Sequence, residues 1–130
     1  MKLIKIPFFI LLVIFFGATA HSQNNVQNSI SLAIKSGNAG ELAKYFNENI
    51  ELVILEKENI YSKTQAEQIL KNFFNQHTPV NFKIVHQGGD ESRYAIGTLD
   101  ATNGSYRVYF LLKSINGQSL IHQLRIEDDN

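Results

Sequence analysis

Apolar positions change their period twice along the chain. Ile6 to Phe16 is almost wholly apolar, interrupted only by Pro7. The run is shorter than the about 20 residues that a spanning helix needs. Lys2 and Lys5 lie before it and Ala18-Thr19-Ala20 after it. Residues 1–20 therefore read as a secretory signal peptide cut after Ala20. The competing reading is an N-terminal anchor that stays in place.

Helical spacing then takes over. Val26, Ile30, Ala33 and Ile34 form one stripe, which predicts a first amphipathic helix. Gly37 ends it as a C′ residue. Asn38, with Glu41 three positions on, caps a short second helix carrying Leu42, Ala43 and Phe46. Asn47 to Asn49 ends that helix. Ile50 to Glu56 is rich in branched aliphatics and reads as a strand. Lys57-Glu58-Asn59 reads as a turn into a short return strand at Ile60-Tyr61. Ser62 and Gln65 make a capping box. They open a long helix whose stripe is Ala66, Ile69, Leu70, Phe73 and Phe74. Pro79 stops it.

After Pro79 the period drops to two. Val80, Phe82, Ile84 and His86 alternate with Asn81, Lys83 and Val85. Gln87 to Ser92 reads as a loop. Arg93–Ala101, Ser105–Ser114 and Gln118–Glu127 follow as strands. Asn103-Gly104 and Asn116-Gly117 separate them, and Asn-Gly is the strongest short hairpin signal. Two-residue loops at both places would set Asp100 opposite Arg107, Thr98 opposite Tyr109 and Leu111 opposite His122. One sheet face would then carry Ile96, Tyr109, Leu111, His122, Leu124 and Ile126. The other would carry Leu99, Val108, Phe110, Leu112 and Ile121, with Gln123 and Arg125. Both faces would be largely apolar. Helices can cover one, and the other would need a partner or a ligand. A homodimer paired through the sheet is the expectation.

Composition narrows the function classes. The chain has 130 residues, 12 basic and 12 acidic side chains, and no Cys or Trp. That is room for one domain, residues 21–130. Without Cys there is no disulfide, no thiolate chemistry and no lipidated N-terminal cysteine. The expected destination is periplasmic or extracellular, not as a lipoprotein, with no integral membrane segment once the signal is cut. Lys57, Lys63, Lys71 and Lys83 are scattered and form no basic stripe, which argues against nucleic acid.

The order of helix, helix, strand pair, long helix and four-stranded meander resembles the nuclear transport factor 2-like (cystatin-like) superfamily. The resemblance spans about residues 26 to 127. More narrowly, the chain resembles a domain-of-unknown-function family of exported proteins from Bacteroidota. Ser36-Gly37-Asn38, Ala43-Lys44-Tyr45-Phe46, Glu51-Leu52 and Tyr61 to Ala66 carry it. So do Phe73-Phe74, His86-Gln87-Gly88, Tyr94 to Gly97 and Tyr106-Arg107-Val108. It implies an α+β cone, with N-terminal helices packed on a curved, mostly antiparallel sheet. It attaches no activity, because the superfamily holds isomerases, dehydratases, transport factors and binding modules alike.

Candidate chemistry is thin. His86 and His122 have the right titration range for general bases, but both sit in apolar alternation, where a core or rim histidine is the commoner reading. No H-x-H or H-E-x-x-H spacing points to a metal. Asp100 opposite Arg107 reads first as a cross-strand ion pair. Tyr45, Tyr61, Tyr94, Tyr106 and Tyr109 could rim a core or line an amphipathic pocket. Gln87-Gly88-Gly89 lacks the strand–loop–helix context of a phosphate cradle. The expected pocket lies between the long helix and the sheet. Its lining would come from Ile69, Phe73, Phe82 and Ile84, with His86, Tyr109, His122, Asp100 and Arg107 as further candidates. No catalytic residue, cofactor or metal is assigned. The leading expectation is a non-enzymatic exported module that binds a small hydrophobic ligand. A small lyase or isomerase using a pocket Asp or His is the first alternative, and a structural envelope component the second.

Overall fold

A computed structural model describes residues 22–129. The signal-peptide reading falls outside those residues. Three helices precede or interrupt six strands: α1 (Ser22–Ser36), α2 (Ala39–Ala43), β1 (Phe46–Ile54), β2 (Lys57–Ser62), α3 (Lys63–Gln76), β3 (Pro79–Gly88), β4 (Ser92–Ala101), β5 (Gly104–Ile115) and β6 (Gln118–Asp128). The strands form one sheet in the order β2-β1-β6-β5-β4-β3. Only β1 and β6 run parallel. This is the α+β arrangement expected from the sequence.

Local signals set the helix ends. Gly37 has φ +67, and the Gly37 and Asn38 amides donate to the Ile34 and Ala33 carbonyls, which closes α1. The Asn38 side chain accepts from the Glu41 amide at 3.0 Å. At α3 the Gln65 amide donates to Ser62 Oγ, and the Ser62 amide donates back to Gln65 Oε1. Phe46 departs from expectation: it opens β1 instead of extending α2. The Ile121 amide donates to the Tyr45 carbonyl at 2.6 Å, so pairing with β6 captures the chain there. The β1–β2 turn also moves, to Leu55-Glu56, with Ile54 opposite Lys57. Lys57 to Asn59 are strand.

Four register shifts bend the sheet, the first of those on β3 at Val80, between Pro79 and Asn81. Ile84 pairs with Gly97 and His86 with Ile96, which leaves Val85 as the extra residue on β3. Leu112 pairs with Ile121 and Leu111 with Gln123, which leaves His122 as the extra residue on β6. β1 pairs with β6 at Phe46 and again from Glu51, with a wide bulge between. A bulge increases local twist and reverses the side-chain phase beyond it.

The bulge at His122 overturns the expected faces. Leu124 and Ile126 pair with Phe110 and Val108 and lie in the core at 0% and 1% exposure. Gln123 and Arg125 move to the outer face. The core runs from Ile30 and Ile34 of α1 through Leu70 of α3 to Leu99, Phe110, Ile121 and Leu124 of the sheet. Among the described residues Tyr106 is the one buried residue whose side chain carries a polar atom.

Candidate functional site

The main cleft lies at one end of the sheet, away from Phe82 and Ile84. A cleft of about 680 Å³ opens between α3 and the β1–β2 hairpin. Leu52, Ile54 and Tyr61 come from the helix-facing side of the hairpin strands. Ile69 and Phe73 come from α3, one turn apart. Leu55 sits in the hairpin turn at φ +57. A branched side chain in that region is strained by roughly 1–2 kcal/mol. Packing of Leu55 against the core, and its amide bond to the Ile126 carbonyl at 2.7 Å, hold it there.

Polar groups gather on the same cleft: Asn72, Gln76, His77, Asp128, Glu56 and Lys57. His77 is the most constrained. Its ring lies 4.5 Å from that of Phe73 at an angle of 32°. Its Nδ1 is 2.7 Å from Tyr106 Oη and 3.1 Å from Asn103 Oδ1. Asn103 is itself fixed, because its Nδ2 donates to the Gln76 carbonyl at 3.2 Å. Tyr106 is buried and stands opposite Asp128 in the β5–β6 register. Burial, and then the Asp128 carboxylate, push its phenol above the ordinary value, so it stays neutral.

The residues expected from the sequence are dispersed. Phe73 is in the cleft. Phe82 is in the core, beneath Gly97, and Ile84 is half-buried on β3 without reaching the cleft. The Val85 bulge puts His86 opposite Ile96 on the outer face, where its Nε2 lies 2.9 Å from Tyr94 Oη. Tyr94 stacks on Tyr109 at 6.2 Å. Asp100 does not meet Arg107. The β4–β5 loop is Thr102-Asn103, one residue earlier than expected, so Asp100 faces Ser105 and Thr98 faces Arg107. Ser105 Oγ donates to Asp100 Oδ1 at 2.7 Å. The turn is displaced because Asn103 is tied to the end of α3, and the Thr102 amide donates to the Thr78 carbonyl. His77, Asn103 and Asp128 were not among the expected residues. The helical stripe Ile69, Phe73, His77, at every fourth residue, was the available signal for His77. Among the described residues no group of three or more His, Asp or Glu is placed to hold a metal.

His122 is half-buried in its bulge, and its Nε2 has no hydrogen-bond partner. Burial lowers the imidazole's pKa from its ordinary value, and Lys113 adds to the shift. The unfolded chain therefore takes up the proton first. Stability is complete above about pH 6.5, the unfolded value, and falls as pH drops below it. His122→Leu is expected to reduce the stability lost between pH 7 and pH 5. Urea midpoints at the two pH values, for parent and variant, would show it. Equal losses in both proteins would refute it.

A family model described as a domain of unknown function, DUF4783, matches residues 27–127. The chain belongs to this family. A DUF4783 family protein from Bacteroides ovatus, known from a crystal structure, is 37% identical with a TM-score of 0.76, over 78% of this chain and 94% of that one. Two remoter structures share the fold alone. A cystatin-like domain of unknown function from Nostoc punctiforme has 7% identity and a TM-score of 0.68, over 86% of this chain and 80% of that one. A protein named Rd1NTF2_04 has 16% identity and a TM-score of 0.64, over 81% of this chain and 99% of that one. No functionally curated protein matches the chain. The family thus carries a nuclear transport factor 2-like, cystatin-like fold.

Proposed function

We propose that the protein is an exported, non-enzymatic binding module that takes a small apolar or amphipathic molecule in the cleft between α3 and the β1–β2 hairpin. The cleft itself carries the reading: about 680 Å³, walled by Leu52, Ile54, Ile69 and Phe73, with a few polar groups beside them. Ligand pockets have this size and this division of lining. Asp100 and His122, the residues on which an acid/base enzyme was to be built, both lie outside it. Titration with N-phenyl-1-naphthylamine, a neutral apolar fluorophore, tests the reading. Saturable fluorescence enhancement that decan-1-ol reverses supports it. Absence of any saturable signal would overturn it.

The outer sheet face keeps Tyr94, Ile96, Tyr109 and Leu111 half-exposed. We propose that two copies meet there, burying about 800 Å² each. Arg125, bonded to Glu127 at 3.2 Å on that face, would flank the contact. Sedimentation equilibrium at micromolar concentration should return twice the monomer mass, and Tyr109→Glu should restore the monomer. A monomeric parent would contradict it. Export should leave a mature N-terminus at His21 or within a few residues. N-terminal sequencing from the native envelope that begins at Met1 would exclude cleavage.

A further inference from the structure

We infer that the cleft selects an amphipathic ligand whose polar head donates hydrogen bonds, an alcohol or a primary ammonium, and disfavours a carboxylate, with His77 as the residue that reads the head. This rests on the binding reading of the same cleft and adds the chemistry of the ligand to it.

Asn103 bridges the end of α3 and His77. Its Nδ2 donates to the Gln76 carbonyl, so its Oδ1 is the atom that faces His77 Nδ1 at 3.1 Å. An amide oxygen is an acceptor only. Two acceptor lone pairs cannot face each other at that distance, so the proton of the neutral imidazole belongs on Nδ1. Tyr106 Oη, at 2.7 Å, accepts from the same N–H. The remaining nitrogen, Nε2, then carries a lone pair and no hydrogen. It has no partner among the described residues, while the ring lines the cleft. Packing against the Phe73 ring, 4.5 Å away and tilted by 32°, constrains the imidazole. The cleft thus holds a pre-oriented acceptor beside an apolar wall.

The neighbouring charges act in the same direction. Asp128 and Glu56 line the cleft as carboxylates, against one cation, Lys57 at the start of β2. A ligand hydroxyl or ammonium can donate to Nε2. A carboxylate would face an acceptor lone pair and two like charges, an arrangement that lowers affinity. Discrimination of this kind is large when a site's acceptor is left unpaired by the wrong head.

The test compares three probes of one chain length, decan-1-ol, decylammonium and decanoate, at pH 7.5 and below their micelle concentrations. Displacement of N-phenyl-1-naphthylamine from the intact mature protein gives each affinity. The expected result is that decanol and decylammonium bind at least tenfold more tightly than decanoate. In His77→Phe, which keeps an aromatic ring and removes the acceptor, the ratio should fall at least about threefold, with Asp128 and Glu56 left to disfavour decanoate. His77→Leu, which also carries no acceptor, gives a second route to the same loss should the Phe variant fold poorly, and each variant's circular dichroism checks the fold. Equal binding of all three probes by the parent, or a preference for decanoate, overturns the head-group inference while leaving the cleft as a binding site. A ratio unchanged in both folded variants overturns the role of His77. Failure of the parent to bind any probe, the fluorophore included, overturns the binding reading and this inference with it.

Discussion

Replacing Gly97 with alanine is expected to cost about 1–3 kcal/mol, the range for overpacking a filled core. For a domain of this size that is a fall in Tm of roughly 5–20 °C. A Cβ at Gly97 would stand 2.5 Å from the Phe82 ring and 2.7 Å from the Lys83 carbonyl oxygen. Real carbons do not approach so closely. The obstruction is partly backbone, and Gly97 is paired with Ile84 at the edge of the β3 bulge, so the strand cannot simply move away. The contrast is Gly40, in α2. There a Cβ would meet nothing nearer than 3.6 Å, and glycine in a helix is less favourable than alanine by roughly 0.5–1 kcal/mol. The same chemical change should therefore stabilise at one position and destabilise at the other. Thermal melts of the two variants would check it. Phe82→Leu should recover part of the Gly97→Ala loss, because the two sites share one space. An unchanged Tm in Gly97→Ala would mean that β3 and β4 are not held in this register.

The second large effect is on binding. Ile69 is half-buried on α3, in the cleft wall, and packs against the core without being part of it. Ile69→Asp leaves a carboxylate that water can reach while the cleft is empty. A bound apolar molecule would cover it, at the cost of an unpaired charge. It would also forfeit the contact with a buried Ile, worth about 1.5–3 kcal/mol. Affinity for N-phenyl-1-naphthylamine should fall by about 10–100-fold, at 1.4 kcal/mol per tenfold. The fold should survive, since the core residues Ala66, Leu70, Phe73 and Phe74 of α3 stay in place. Undiminished affinity in a folded Ile69→Asp protein would place the fluorophore elsewhere.

Elements marked by local chemistry were legible in the sequence. The Schellman closure at Gly37, the Asn38 cap and the Ser62–Gln65 box act within a few residues, and each is present as expected. So is the Asn116-Gly117 turn, with φ +54 and +78. What failed depends on distant contacts. Asn103-Gly104 has the same dipeptide, yet the loop shifts because Asn103 bonds to the end of α3. Phe46 has helical spacing with Leu42, yet β6 draws it into a strand. The bulge at His122 reverses everything beyond it. A trace was visible: Ile121 and Leu124 are three apart, which strict alternation forbids on one face. The candidate site suffered most, because a one-residue slip moves every later side chain to the other face. Leu124 and Ile126 leave the face of Tyr109 and Leu111 for that reason, and His86 leaves the face of Phe82 and Ile84 at the matching bulge at Val85. The cleft was half legible. Ile69 and Phe73 follow from the α3 stripe. Leu55, His77 and Asp128 meet them only through the hairpin, the helix end and the last strand.

An apolar ligand of this protein is expected in the cleft between α3 and the β1–β2 hairpin. Backbone amide shift mapping by NMR, with decan-1-ol added to the labelled mature protein, tests it most directly. Saturable shifts are expected at Leu52, Ile54, Leu55, Ile69, Phe73 and His77. Shifts confined to Tyr94, Tyr109 and Leu111 on the outer sheet face would contradict it.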